Sequence, residues 1–126
     1  DGFITKLDRT LSQLIWSSYL GGQYADAIYN IALSKNGTVF VCGGTNSPDF
    51  PVTSGVVYSA QQGGVDGFIT MINPNGTSIF KSTYWGTSSY DQVYCVEVDK
   101  QNYVYILRQS SSTGNALIQN AAWYTV

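Results

Sequence analysis

The string DGFITKLD at residues 1–8 returns as DGFITMIN at residues 66–73. The offset of 65 holds without a gap from Asp1 against Asp66 as far as Gln61 against Val126. Along it Asp1, Gly2, Phe3, Ile4, Thr5, Ser17, Tyr19, Gly21, Asp26, Tyr29, Lys35, Val39 and Ser47 meet identical residues. Pairs such as Leu7/Ile72, Ile31/Val96, Val41/Ile106 and Tyr58/Trp123 keep their character. The chain is a tandem duplication, repeat 1 over 1–65 and repeat 2 over 66–126, within one domain of 126 residues. A fixed period means that each unit has a face it cannot bury alone, so it needs a neighbour of the same kind.

Within a period, apolar residues alternate over short stretches bounded by turn formers, the pattern of strands. AIYNIALSKNGTVFVCGG puts Tyr29, Ile31 and Leu33 on one face, turns at Asn36-Gly37, and returns through Val39 to Cys42. QVYCVEVDKQNYVYILR repeats that hairpin with Gln101-Asn102 in the turn. Asn-Gly is a strong hairpin signal because a tight turn needs positive φ at little cost. DGFITMI and SIFKSTYW form a second hairpin around NPNGT. Between the hairpins, Pro48 and Pro51 in GGTNSPDFPVTSG withhold backbone donors and mark a loop. Each period therefore supplies about four short strands, as in the four-stranded blade of a propeller.

Taken together, DGFITKL, SSYLGG, the acidic residue after it, the NGTVFVCGG hairpin and the Asp49-Phe50-Pro51 loop resemble the SBBP-type repeat of bacterial and archaeal β-propeller proteins. Repeat 2 has drifted from the pattern, with Met71 where repeat 1 has Lys6, Trp85-Gly86-Thr87 at the glycine pair, and STGNAL at the loop. The resemblance implies an all-β fold of β-propeller-type blades, each of four antiparallel strands, in an extracellular or cell-surface setting. It brings no catalytic residues with it.

The phase of the strands adds an expectation. If a blade joins the hairpin at 26–44 to the hairpin at 66–85, the two repeats make one whole blade plus two half blades, 1–20 and 91–108. Exposed strand edges are normally covered, and two blades cannot close a ring of about four to eight. The expected partners are further blades of a parent chain or copies of the chain itself, joined head to tail into a ring or filament. A chain that starts inside the repeat pattern is expected to be a mature product or an excised segment.

Composition narrows the chemistry. Charged residues are 11% and the net charge is -2, which argues against a nucleic-acid partner. No run of about 18 apolar residues offers a membrane span. Histidine is absent, removing the usual general base and the commonest metal ligand. No nucleophile motif, metal spacing or phosphate loop stands out, so the expectation is a non-enzymatic structural or interaction module without cofactor or metal. Candidate residues are of three kinds. Tyr24 and Tyr90, in corner loops beside the repeated Asp26 and Asp91, could stack on glycans or surface proteins. Asn36 and Asn75 each begin an Asn-Gly-Thr glycosylation sequon. Cys42 and Cys95, at non-equivalent positions, are either a disulfide or two free thiols. The repeated aspartates are read as acceptors for backbone hydrogens in their turns, and Glu97, the only glutamate, stands where repeat 1 has Ala32.

Overall fold

The structure is a computed structural model that describes residues 1–112. These form eight strands, β1 (Gly2–Leu7), β2 (Leu14–Leu20), β3 (Asp26–Leu33), β4 (Val39–Thr45), β5 (Asp66–Ile72), β6 (Ile79–Trp85), β7 (Asp91–Val98) and β8 (Val104–Ser110). All pairs are antiparallel, in one four-stranded sheet ordered β3-β4-β5-β6 between two hairpins, β1-β2 and β7-β8. The whole blade thus straddles the repeat boundary, with a half blade on either side. The drifted DFP-loop positions of repeat 2, and Trp123 with it, lie outside the described residues.

The four hairpin turns share one device. Leu11, Gly37, Gly76 and Asn102 hold φ of 58°, 84°, 75° and 66°. Each donates its N–H to the carbonyl three residues earlier, on Asp8, Ser34, Asn73 and Asp99. The opening side chain then caps the turn: Asp8 Oδ1 accepts the Ser12 and Gln13 amides, and Asn73 Oδ1 the Thr77 amide. Glycine and asparagine suit this left-handed position. Leu11 does not, and it is exposed.

Alternation along the strands gives the whole blade two apolar faces, each covered by a half blade. Val39, Val41, Phe68, Ile72 and Tyr84 pack with Ile4 and Leu20 of the first hairpin. Phe40 and Cys42 point the other way, onto Val93 and Val96 of the last. Burying side chains of this size contributes about 1.5–3 kcal/mol each. One sequence expectation is corrected here. The register of β3 against β4 shifts between Ile28 and Asn30. Tyr29 is the extra residue of this bulge, and its ring leaves the row of Ile31 and Leu33 to lie 5.6 Å from Tyr94.

The loop after β4 lies off the sheet, yet its Phe50 is buried, 4.4 Å from the Phe68 ring. Tyr84 pins it there, its hydroxyl accepting the Phe50 amide at 3.1 Å and donating to the Ser47 carbonyl at 2.8 Å. The loop then runs beside β6: the Thr53 amide donates to the Ser82 carbonyl and the Tyr84 amide to the Tyr58 carbonyl. The outer edge of the whole blade is therefore occupied by its own chain.

Two measurements check these assignments. Tyr84→Phe leaves the buried Phe50 amide and Ser47 carbonyl only their mutual 3.2 Å bond and should lower unfolding stability by about 0.5–1.5 kcal/mol in urea titration; an unchanged midpoint would show that the hydroxyl is idle. Leu11→Gly relieves a left-handed leucine and should raise stability by about 0.5–1 kcal/mol, the strain being partly offset by glycine's looser unfolded chain.

Candidate functional site

The features left unfinished by the fold are strand edges. β4 and β5 each pair on both sides. Their repeat equivalents do not: among the described residues β8 pairs with β7 alone, and β1 with β2 alone. The side chains follow the backbone. Phe3, Leu7 and Tyr19 of the first half blade are exposed, as are Val104, Tyr105 and Leu107 of the last. Beside β8, a cleft of about 360 Å³ runs along the whole blade, lined by Phe40, Ile69, Met71, Trp85, Val104 and Ile106 among others. An apolar cleft ending on an open strand edge accepts backbone pairing and apolar contact together.

The corners between hairpins hold the charged groups. Asp26, Asp66 and Asp91 are buried. Each accepts the amide four residues before it, from Gly22, Gln62 and Thr87. Ser47 adds its hydroxyl to Asp26, and the Arg108 guanidinium lies 3.3 Å from Asp91. In the corners before β3 and β7 a glycine is forced by these carboxylates. A Cβ on Gly86 would stand 2.3 Å from Asp66 Oδ1, and one on Gly21 2.6 Å from Asp26 Oδ2 with Asp1 beside it. Burial pushes the Asp66 carboxyl above its ordinary value; the Gln62 and Gly63 amides oppose this, and the charge on Asp91 adds to it. The second oxygen, Oδ1, of Asp26 and of Asp66 accepts no hydrogen bond among the described residues. No cluster of three or more Asp, Cys, Glu or His side chains forms there either.

The structure does not bring Tyr24 and Tyr90 together. Tyr90 joins Tyr29 and Gln92 in a cleft of about 240 Å³ whose lining leaves out Tyr24. Both are exposed, and both amides are held, by the hydroxyls of Ser47 and Ser111. Asn36 and Asn75 are exposed in hairpin turns, and their side-chain oxygens already accept the Thr38 and Thr77 amides. Cys42 and Cys95 carry free thiols, the first buried and the second half-buried. Burial pushes the Cys42 thiol up to about 12, with Cys95 nearby contributing. Glu97 is exposed on β7, directly opposite Tyr105. Sequence reasoning missed Phe50, Tyr84 and Arg108 as organising residues; an aromatic between Asp49 and Pro51 in a polar loop was the available signal for the first.

β2, the corner with its glycine pair, the β3-β4 hairpin and the Phe50 loop form one continuous segment, and a family model described as SBBP, beta-propeller repeat, matches residues 15–51. That segment is similar to an SBBP β-propeller repeat. No curated protein matches the chain. The glycine pair of this segment has a physical reason: Gly21 makes room for the Asp26 and Asp1 carboxylates, and a Cβ on Gly22 would stand 2.4 Å from Asp49 Oδ1.

The raised Asp66 carboxyl sets a sign. The folded state holds this proton more tightly than the unfolded chain does, so its contribution is full at low pH and is lost as pH rises through the folded value. Asp66→Asn keeps an acceptor for Gln62 and removes the titration. Denaturation from pH 4 to 8 should show wild type losing stability relative to the variant as pH rises; parallel profiles would refute the assignment.

Proposed function

We propose that the chain is a non-enzymatic β-propeller module, extracellular or on a cell surface, whose task is structural. It joins further copies of the same repeat through the open edges of β1 and β8, head to tail, into a ring or filament. β-Propeller repeats of this family are in general non-catalytic. The observation that carries the reading is the contrast between β4-β5, paired throughout, and their equivalents β8 and β1, each paired on one side among the described residues. The setting rests on the resemblance of the repeat to those of secreted propellers.

Each copy contributes two blades' worth of strands, so a closed ring of about four to eight blades takes about two to four copies. Light scattering of the 13.7 kDa chain should give a mass of several copies at micromolar concentration, as a closed ring or a longer series. A folded monomer at that concentration would overturn the reading. The cleft at Tyr29, Tyr90 and Gln92 supports a second reading, a propeller segment that binds a glycan or a surface protein. Glycan-array binding by a dispersed species, lost in Tyr90→Ala, would favour it.

A further inference from the structure

We infer that the occupant of the β8 edge is the β1-β2 hairpin of a second copy of this chain, seated with Leu7 opposite Val104 and Asp1 opposite Ser110. This rests on the functional reading above and adds the partner segment and its register. The template is inside the molecule. β4 and β5 pair from Val39↔Ile72 to Thr45↔Asp66 without a shift. β8 lies one repeat after β4, and β1 one repeat before β5. Carrying the ladder over by 65 residues gives Tyr105↔Lys6, Ile106↔Thr5, Leu107↔Ile4 and Arg108↔Phe3 between copies.

Burial supports the transfer. Phe68, Phe40 and Cys42 are 0%, 2% and 0% exposed in the whole blade. Their equivalents Phe3, Tyr105 and Leu107 stand at 66%, 59% and 66%. The interface such a hairpin would make also exists once already. Within one chain the outer hairpin lays Ile4, Leu20 and Trp16 against Ile72 and Ile79 of the whole blade. On the far side of that blade the equivalents of the first three are Ile69, Trp85 and Lys81, which line the apolar cleft. The second copy's Leu7 and Leu14, equivalents of Ile72 and Ile79, are exposed and would seat on them.

The departures between repeats fit this partner. In the whole blade one row across three strands is apolar: Ala32, Phe40 and Met71. The same row across the junction reads Glu97, Tyr105 and Lys6 of the second copy, an anion and a cation on either side of a tyrosine. Adjacent strands lie about 4.8 Å apart, so the two long side chains can reach one another along the tyrosine. Where Gly43 lies against the Ala27 carbonyl and, across the ladder, the Phe68 ring, Arg108 meets Phe3, an arrangement that brings a guanidinium over an aromatic face.

The register is read by cross-linking. Lys6→Cys and Tyr105→Cys are made separately with Cys95→Ala, Cys42 staying silent because its thiol is buried. Residues directly opposite in an antiparallel ladder have Cβ atoms about 5 Å apart. A short bifunctional thiol reagent should therefore join this pair at least tenfold more than Lys6→Cys mixed with Tyr103→Cys or Leu107→Cys. Association with a different strongest pair would overturn the register and leave the functional reading standing; absence of association in the parent chain would overturn both. If the cysteine variants associate poorly, charge exchange serves instead. Glu97→Lys or Lys6→Glu alone should weaken association about two- to fivefold at low salt, and the double variant should recover it; no recovery would overturn the register.

Discussion

A β-strand offers its backbone donors and acceptors along two edges, and a ladder satisfies only the edge it touches. This constraint orders the molecule. Where both neighbours are present, as for β4 and β5, side chains on both faces are enclosed and the sheet alternates between two cores. Where the edge is the outermost, the loop carrying Phe50 runs alongside and takes up backbone groups of β6. The edges of β1 and β8 receive neither treatment among the described residues, and the exposed apolar side chains cluster beside them.

The corners convert a chain of hairpins into a stack. Each buried aspartate ties the residue four positions earlier: Asp26 and Asp91 do so where the chain passes from one sheet to the next, and Asp66 where it re-enters the same sheet at β5. A carboxylate in that position must be approached by glycine, because any Cβ would overlap its oxygens. Burial there costs the charged form of Asp66 some of its stability, and that cost is tolerated because the same group fixes the entry of the next strand.

Strands, hairpins and the straddling blade were legible in the sequence because alternation and turn chemistry are local. DGFITMI alternates whether or not its neighbours exist, and Asn36-Gly37 turns by its own conformational preference. The bulge at Tyr29 was not legible, since an extra residue in a ladder depends on what the partner strand does. The hairpin at 1–20 was expected, but Leu11 hid which residue takes its left-handed position. Its equivalent Gly76 announces the left-handed position, whereas a leucine there is held by the hydrogen bonds around Asp8. At the candidate site, the half-blade edges followed from counting strands. Arg108 and the aspartate corners needed three-dimensional neighbours before their roles could be read.

The junctions between successive blades are not chemically equal, and the sequence drift explains the direction of the difference. Inside the chain, Asn30 Oδ1 accepts the Val96 amide at 3.1 Å and ties β3 to β7 beside the bulge. The repeat equivalent of Asn30 is Cys95, whose thiol is at best a weak acceptor. A junction that β7 makes with a following blade therefore lacks that tie. In the proposed head-to-tail assembly, the contacts between β8 and the β1 of a second copy would be strand pairing, apolar cover and exposed charge. Such an interface is held chiefly by its ladder, so it discriminates by register more than by any single side chain, and a partner that slips by one residue turns its apolar face to solvent.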